Sequence, residues 1–550
     1  MLRKIISLLV VLILSGSLLW HYKVNILLWA LPKIINIANP IQENIPTTWS
    51  HGPKEVLDAS ETRPNIILIL ADDMGYNDIS LHNGGAGDGS LQTPHIDSLA
   101  ENGVWFSKGY AANATCAPSR ASIMTGRYPT RFGFEFTPIP DYGGLVLSWL
   151  AAEDDHVLKR RIDQELATNL PDFMDQGMPS EQITVAEILK QAGYYTAHIG
   201  KWHLGHSNGM SPNDQGFDDS LSLGGSYYLP EDDSRVVNAK FETDIDKMIW
   251  SSGQYSAQFN GGEYFAPDKY VTDYYTDEAL KVIENNKNRP FFLYLSHWAI
   301  HNPLQALRSD VQEMQHMSGH NLQVYSGMIK ALDRSVGKIV QKLKDLEIYG
   351  KTLIIFTSDN GGANYIELED INQPFRGWKI TFFEGGIRVP FILSWPDEIK
   401  AGIKYEHPIH HFDIFSTIAA AAKSSLPDDR EIDGVNLLPF LKSDTLQKPH
   451  QTLFWRSGNH QAVLHDDWKY LVSINENKKW LFNTSADPLE QNNLVENSPQ
   501  QLQLVEGLLA DFNDAQQEPL FPSSTLMPIL IDKYDGEKIE ENDEYIYWSN

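Results

Sequence analysis

The chain has 550 residues, which predicts one large domain plus at least one smaller unit and leaves enough core for a deep pocket. Its hydrophobic share of 42% and aromatic share of 11% are typical of a folded globular protein and exclude a disordered one. The formal net charge of -28 argues against a nucleic-acid partner, so any site for an anion must be a local cluster of cations.

The amino terminus has the order of an export signal, because a basic start precedes an apolar run over residues 5–20. That run is long for a signal peptide and short for a membrane span, and residues 26–37 are again largely apolar. Residues 1–40 are therefore predicted to be either a signal peptide or a retained membrane anchor. In either case the protein is expected to be exported, so that it is periplasmic, secreted or membrane-anchored with its folded part outside the cytoplasm. Residues 41–62, rich in Pro, Asn, Thr and Glu, are predicted to be a linker.

Short apolar runs of the kind that form buried parallel strands recur along the chain, and each stops at polar residues. Residues 65–71 stop at Asp72 and Asp73, 194–199 before Lys201 and His203, 290–295 before His297, and 351–357 before Asp359 and Asn360. Helical patterns, as over 184–192 and 325–346, lie between them. The predicted fold is therefore α/β, with a large, mainly parallel sheet and helices on both faces. Ligands bind beyond the carboxyl ends of such strands, so these polar residues are expected to converge.

The pattern changes near residue 451 to short alternating runs, which predict a smaller antiparallel sheet. The runs cover residues 453–456, 461–464, 468–472 and 479–482. A helix over about 499–513 is expected to pack on this sheet. Residues 521–550, Pro-rich and then acidic, are predicted to be an extended wrap or a loose tail.

Cys116 is the only cysteine, so it cannot form an intramolecular disulfide. By residue type alone it would be a small buried hydrophobe. Pro118 suits the first turn of a helix and Gly126 suits a helix end, which predicts that Cys116 lies at a helix N-terminus. The exposed N–H groups at such a terminus favour an anion.

The segment Thr115-Cys-Ala-Pro-Ser-Arg-Ala-Ser-Ile-Met-Thr-Gly-Arg127 resembles the signature of the type I sulfatases, arylsulfatase-like enzymes of the alkaline phosphatase superfamily. Other stretches look like family blocks in family order: Ala-Asp-Asp-Met-Gly from 71, Gly-Lys-Trp-His-Leu-Gly from 200, His-Asn-Pro-Leu-Gln from 301, Thr-Ser-Asp-Asn-Gly-Gly from 357, Arg-Gly-Trp-Lys from 376 and Glu-Gly-Gly-Ile-Arg-Val-Pro from 384. The resemblance covers most of residues 63–500. It implies an alkaline phosphatase-like catalytic domain over 63–448, a C-terminal subdomain over 449–520 and an acidic tail over 521–550.

The resemblance also implies that this protein is a sulfuric ester hydrolase. Cys116 would be oxidised to formylglycine (3-oxoalanine) by a formylglycine-generating enzyme. Hydrated formylglycine would attack sulfur, and its second hydroxyl, which Ser or Cys lacks, would allow sulfate to be expelled.

The oxygen side chains of Asp72, Asp73, Asp359 and Asn360 suit a hard divalent cation and not zinc. Asp359 and Asn360 alone would be a turn after a strand, but pairing with Asp72 and Asp73 favours a metal site. The resemblance implies one calcium ion, bound by these four residues and the modified Cys116.

Family positions also give roles to five cationic or titratable residues. Arg120 would hold the modified side chain, while Lys201 and Lys379 would stabilise charge on the sulfuryl oxygens. His301 would protonate the departing alcohol, and His203 would act as the base that releases sulfate. His297 competes with His301, but the residues after His301 match the family block, so His297 is the reserve candidate.

A sulfated carbohydrate is the predicted substrate, such as a carrageenan, ulvan or glycosaminoglycan fragment. Sugars stack on aromatic rings and anions bind arginine, so aromatic and cationic loop residues are expected to line the mouth of the site. These are Trp298, Arg376, Arg456 and His460, with Trp202, Tyr227 and Tyr228 as further candidates.

Two alternative functions are compatible with the sequence. A phosphomonoesterase, phosphonate hydrolase or phosphoethanolamine transferase of the same superfamily would usually have Ser or Thr at position 116 and often two metals. A non-catalytic carbohydrate-binding protein could retain the sulfatase fold, although the nucleophile, the metal ligands and the cationic partners are all present in this sequence.

Overall fold

The computed structural model describes residues 22–38, 40–55, 63–83, 85–87, 89–138, 158–163, 165–166, 169–224, 229–251, 255–442 and 447–550. The apolar run over 5–20, residues 56–62 of the predicted linker, and Tyr227 and Tyr228 lie outside the described residues.

A ten-stranded mixed sheet forms the centre of the molecule. Its strands are β1 (Asn65–Ala71), β2 (Val104–Phe106), β3 (Tyr195–Gly200), β4 (Asp219–Leu223), β5 (Ala257–Phe259), β6 (Tyr264–Phe265), β7 (Phe291–Ser296), β8 (Thr352–Ser358), β9 (Phe391–Ser394) and β10 (Ile403–Tyr405). The spatial order is β10-β2-β9-β8-β1-β7-β3-β4-β5-β6. The five central strands, β8, β1, β7, β3 and β4, are parallel to one another.

Both faces of this sheet are covered, which is why β1 is apolar at every position from Ile66 to Ala71. Ile67 and Ile69 pack into one hydrophobic cluster with the helices Val271–Asn286 and His320–Asp345. Ile66, Leu68 and Leu70 pack into a second cluster with the helices Cys116–Thr125, Val185–Gln191 and Asp413–Ala421. The predicted α/β fold with helices on both faces is confirmed.

The remaining helices of the described residues are shorter or peripheral. They are Lys23–Ala38, Ser80–Asn83, Pro94–Glu101, Asp244–Ser251, Arg308–Glu313, Glu384–Ile387, Leu438–Lys442 and Pro499–Asp514. Two short strand pairs, Gly109–Tyr110 with Ile409–His410 and Val236–Ala239 with Leu304–Leu307, lie outside the large sheet. No helix in the described ranges has both the length and the apolar character needed to cross a membrane.

The smaller C-terminal sheet has four antiparallel strands, as the alternating runs predict. They are β11 (Thr452–Ser457), β12 (His460–His465), β13 (Trp468–Ser473) and β14 (Lys478–Asn483). The helix Pro499–Asp514 packs on one face of the sheet through Val505 and Leu509.

The last thirty residues differ from the extended wrap or loose tail that their composition predicts. Thr525–Leu530 pairs antiparallel with both Tyr545–Ser549 and Arg161–Ile162. Ile529 and Ile546 are buried in the same hydrophobic cluster as the C-terminal sheet. The prediction failed because it followed the prolines and the acidic run between the two strands, and because the third strand is distant in sequence. The domain boundaries themselves stay a prediction.

Candidate active site

The predicted polar residues meet at the carboxyl ends of the central strands. β1 and β8 are adjacent and in register, with Ala71 opposite Ser358, so Asp72 and Asp73 leave the sheet beside Asp359 and Asn360. Lys201 follows β3 directly, and β3 is also one of the parallel strands. A single edge of the sheet therefore supplies acids, an amide and a cation.

Cys116 is the first residue of the helix Cys116–Thr125, as predicted. That helix ends at Gly126, whose φ of +70° gives the left-handed cap that glycine favours. The Cys116 Sγ lies 3.5 Å from Oδ1 of Asp72 and 3.8 Å from Oδ1 of Asp73. Burial, with Asp359 adding to it, raises the pKa of the Cys116 thiol well above its usual range. A protonated thiol is a weak nucleophile.

Arg120 lies one turn further along the same helix and is fully buried. Its Nε and Nη2 donate to Oδ2 of Asp359 at 3.0 and 2.7 Å, and its Nη2 lies 3.2 Å from Oδ2 of Asp72. Its Nη1 donates to the carbonyl of Lys201 at 3.1 Å and to the hydroxyl of Ser296. Arg120 thus connects the ends of four strands to the helix that carries Cys116.

Asp73 is the most heavily bonded acid of the site. Its carboxylate lies 2.7 Å from Lys379 Nζ, 2.8 Å from Asn360 Nδ2, 3.2 Å from the Tyr365 hydroxyl and 3.5 Å from His301 Nε2. Burial alone would raise the pKa of Asp73, but Lys379, His301 and Lys201 outweigh it and hold that pKa below the usual range. Asp73 is therefore ionised.

The donor set fits a divalent cation. Ligand atoms of Asp72, Asp73, Cys116 and His301 all lie within 4.8 Å of one another. Asn360 adds a buried Oδ1 that accepts no hydrogen bond, and an unsatisfied buried carbonyl oxygen is the kind of ligand that hard cations take. Asp359 is outside the four-residue group: its Oδ1 accepts the N–H of Asp73 at 3.1 Å, and its Oδ2 accepts Arg120.

The other cationic and titratable candidates lie against these acids. Lys201 Nζ is 2.7 Å from Oδ2 of Asp72 and 4.6 Å from the ring centre of Trp298. His203 adopts a left-handed φ of +64° just after Lys201, and burial together with Lys201 and Arg120 lowers its pKa well below the usual value. Burial likewise lowers the pKa of His301 to about 3, against the opposing charge of Asp73.

The structure separates the two competing histidines. The ring centre of His301 lies 4.3 Å from that of Trp298, with the two rings tilted by 46°, and its Nε2 points to Asp73 and Lys379. His297 is fully buried, and its Nε2 lies 3.1 Å from the Ser335 hydroxyl on the helix His320–Asp345. His301 is therefore at the site, and the reserve candidate His297 is not.

Three of the predicted substrate contacts have structural partners instead. Arg376 is paired with Asp532 at 2.5 Å and with Glu544 in the C-terminal hairpin. Arg456 is paired with Glu135 at 2.8 Å. His460 is fully buried, and its Nε2 accepts the N–H of Phe382 at 3.0 Å.

These three residues were wrongly predicted to line the mouth, because their partners are far away in the sequence. Trp202 also belongs to the core, where its Nε1 donates to the carbonyl of Met210. Trp298 alone lies against His301 and Lys201 and remains a candidate contact.

Sequence reasoning missed two supporting groups. The Tyr365 hydroxyl bonds Asp73 and accepts from Lys379 Nζ at 3.2 Å. Ser119, one turn from Cys116, donates to the carbonyl of Asp359 at 2.6 Å and lies 3.0 Å from Nδ1 of His411. Ser119 could have been predicted from the sequence, because it lies within the motif that contains Cys116. Tyr365 and His411 lie in no such motif.

Comparison with known proteins gives the family. The model of the sulfatase family matches residues 64–424, and the model named N-sulphoglucosamine sulphohydrolase, C-terminal, matches residues 377–518. Human N-acetylgalactosamine-6-sulfatase is 34% identical over 400 residues, which cover 72% of this chain and 69% of that protein. Human steryl-sulfatase is 31% identical over 496 residues, covering 78% of each.

A solved structure is also similar over most of the chain. The crystal structure of Ps i-CgsB in complex with k-i-k-neocarrahexaose has a TM-score of 0.68 and 30% identity, covering 84% of this chain and 95% of that one. A family model that matches most of the chain, two relatives above 30% identity and a shared fold agree with the site geometry. This chain belongs to the sulfatase family, the sulfuric ester hydrolases of the alkaline phosphatase superfamily.

Proposed function

We propose that this protein removes sulfate from sulfated carbohydrates with a formylglycine made from Cys116 and a bound calcium ion. The observation that carries the reaction is the position of Cys116, whose Sγ lies 3.5 Å from Asp72 and 3.8 Å from Asp73 at the start of a helix. This arrangement supports the proposal, because Cys116, an anion-favouring helix terminus and two acids share one buried site.

Asp72, Asp73 and Asn360 would hold the ion together with the side chain at position 116, and Asp359 would complete the set. The ion would neutralise a sulfate oxygen and favour ionisation of a formylglycine hydroxyl. The all-oxygen character of the acids and amide supports calcium over zinc.

The remaining side chains supply charge and protons. Lys201 and Lys379, each within 2.7 Å of an acid, would bind the sulfuryl oxygens, which an acidic protein must attract locally. His301 would give a proton to the departing alcohol, and His203 would take one from formylglycine to release sulfate. The two hydroxyls of hydrated formylglycine, one to attack and one to release, are what a thiol lacks.

Two relatives support a sulfated sugar as the substrate. N-acetylgalactosamine-6-sulfatase is named for a sulfated amino sugar, and Ps i-CgsB was crystallised with a carrageenan oligosaccharide. Steryl-sulfatase is named for a different class of substrate, although its identity to this chain is similar. The choice between the two substrate classes therefore depends on this chain's own residues. Trp298, which lies beside both His301 and Lys201, is an aromatic surface on which a sugar could stack.

The test combines one mass measurement with two activity measurements. Intact-mass analysis of the peptide around Cys116 should show formylglycine in active protein, and Cys116→Ala should abolish turnover while the protein still folds. A purely unmodified thiol in active protein would refute the mechanism. Turnover of an aryl phosphate but not of the matched aryl sulfate would favour the phosphatase alternative.

Sulfate release from carrageenan, ulvan and glycosaminoglycan oligosaccharides then tests the substrate. Hydrolysis of an aryl sulfate without release from any of these sugars would reject the carbohydrate and keep the reaction. We also propose that a formylglycine-generating enzyme matures the protein and that residues 1–40 direct its export. Cell fractionation checks the export, and recovery of the protein in the cytoplasm would reject it.

A further inference from the structure

We infer that the helix Lys23–Ala38 lies in the surface of an anionic lipid bilayer and fixes the catalytic domain there. This inference is independent of the reaction, and it differs from anchoring by residues 1–21. It is carried by four features: exposed apolar side chains, their arrangement in one stripe, the local charge and the length of the helix.

The first feature is where apolar side chains are exposed. Eleven large hydrophobic side chains are exposed in the described part of the chain, and five of them lie between residues 22 and 37. They are Tyr22, Ile26, Trp29, Ile34 and Ile37, with Trp29 67% and Ile37 84% exposed. The other six are scattered over residues 45–520. Single exposed apolar residues are ordinary, whereas a cluster on one element marks an interaction surface.

The second feature is that three of these side chains form one stripe together with Lys33. Ile26, Trp29, Lys33 and Ile37 are spaced by three or four residues, so they share one face of the helix, and all four are exposed. The helix also packs against Asp244–Ser251, and Leu27 and Leu28 are only partly exposed. The stripe is therefore the outer face of a helix already held on the domain.

The third feature is charge. Residues 22–42 contain two basic residues and no acidic one, although the whole chain has 72 acidic residues against 44 basic. Lys23 and Lys33 lie at and within the helix, and the ammonium of Lys33 sits 3.2 Å from the ring centre of Trp29. A tryptophan and a lysine on one exposed face suit the boundary between acyl chains and headgroups. Anionic lipid is favoured because Lys23 and Lys33 would be attracted to its headgroups, while the acidic charge of the rest of the protein would orient this segment toward the bilayer.

The length of the helix decides between lying on a bilayer and spanning it. Sixteen residues rise about 24 Å, less than the roughly 30 Å of a bilayer core. A helix of this kind lies in the interface with its apolar face buried in the headgroup boundary. The helix that it packs on carries Asp246, whose carboxylate accepts from Asn302 next to His301. Docking would therefore place the bilayer next to the helix Asp244–Ser251, which contacts the active-site loop through Asp246.

The decisive measurement is the depth of position 37 in the full-length protein. A nitroxide is attached to Ile37→Cys, with Ile474→Cys as the matched control because Ile474 is 51% exposed on the C-terminal subdomain. Native Cys116 is buried and should not react. On vesicles of phosphatidylcholine with phosphatidylglycerol, the label at 37 should become shielded from a water-soluble relaxation agent and accessible to oxygen, while the label at 474 should not change.

Three outcomes would overturn the inference. Protein that binds the vesicles with position 37 still in water would be held by residues 1–21 alone. Protein that does not bind at all would show that the stripe has no lipid partner. A label at 37 that is shielded without vesicles would show that a second copy of the chain covers the stripe.

A second comparison uses charge and polarity. Trp29→Glu with Ile37→Glu should weaken vesicle binding at least about tenfold, and Lys33→Glu at least about fivefold. Ile474→Glu with Leu504→Glu, two exposed positions elsewhere, should leave binding unchanged. Turnover of a soluble aryl sulfate should be the same in all variants, which separates loss of docking from loss of folding or of the proposed reaction. Equal binding by the helix variants and the control would reject the helix as the docking element.

Discussion

The ammonium of Lys469 lies 2.7 Å from Oε1 of Glu384, and both side chains are buried. Glu490 lies 2.8 Å from the same ammonium. This cluster joins the C-terminal sheet to the short helix that begins five residues after Lys379. We expect Lys469→Met to lower the free energy of unfolding by about 3–5 kcal/mol, because it leaves the buried Glu490 without its counter-charge and Glu384 with Arg388 alone. Urea unfolding measures this loss.

The neighbouring strand provides the control. Lys479 pairs with Glu506 at 2.7 Å, but both side chains are more than a third exposed. Lys479→Met should cost less than about 1 kcal/mol, since exposed ion pairs contribute little. Equal losses in the two variants would contradict the importance of the buried cluster.

Gly200, the last residue of β3, is expected to tolerate no side chain. Its φ is +109°, and a Cβ there would lie 1.8 Å from the carbonyl oxygen of Ser296 on the neighbouring strand. Gly200→Ala should cost about 3 kcal/mol or more, because two backbones must separate. It should also lower turnover, since Lys201 follows directly.

Gly193 isolates the backbone effect from the steric one. Its φ is +83°, but a Cβ there would meet no atom within 4 Å. Gly193→Ala should cost only about 1–2 kcal/mol by urea unfolding, the cost of a left-handed non-glycine residue. A loss as large as that of Gly200→Ala would show that the contact with Ser296 is not what matters.

Calcium is expected to stabilise the folded protein through the oxygen ligands. At a concentration about 100 times the Kd, the free energy of unfolding should rise by about 2.7 kcal/mol. Asp73→Asn should lose most of this gain, as measured by thermal unfolding with and without the ion. Asp310→Asn is the control, because Asp310 is a buried acid paired with Arg334 away from the site. An undiminished gain in Asp73→Asn would argue against the assigned ligands.

His301 and His297 should differ in their effect on turnover. If His301 protonates the departing alcohol, His301→Gln should lower kcat by about 10²–10⁴-fold on an alkyl sulfate. The loss should be much smaller on an aryl sulfate with an acidic phenol, which departs without a proton. His297→Gln should show no such dependence on the leaving group. A uniform loss across both esters in His301→Gln would assign that residue a binding role instead.

Much of this site could be predicted because buried parallel strands are recognisable from short local runs of apolar residues, and because their carboxyl ends lie at one edge of the sheet. Apolar runs give the strands, and the residue after each run must lie at the same edge as the others. Asp72, Asp73, Lys201, Asp359 and Asn360 were all placed by that argument, and the structure brings them together.

The rest depended on partners that no local pattern reveals. The sequence predicts that Arg376 and Arg456 are exposed and unpaired. Their carboxylate partners, Asp532 and Glu135, lie 156 and 321 residues away along the chain. The hairpin of residues 525–549 was missed for the same reason, because its third strand is Arg161–Ile162. Tyr365 bonds Asp73 across nearly 300 residues and has no motif of its own.

The bonds from Arg376 to Asp532 and Glu544 also set an order of events in time. During synthesis, the strand that precedes Asp72 and the helix that begins at Cys116 emerge long before these two acids do. Arg376, three residues before Lys379, can form these two ion pairs only after the hairpin has left the ribosome. A chain shortened before the hairpin would therefore keep the helix that begins at Cys116 but leave Arg376 without its two carboxylates.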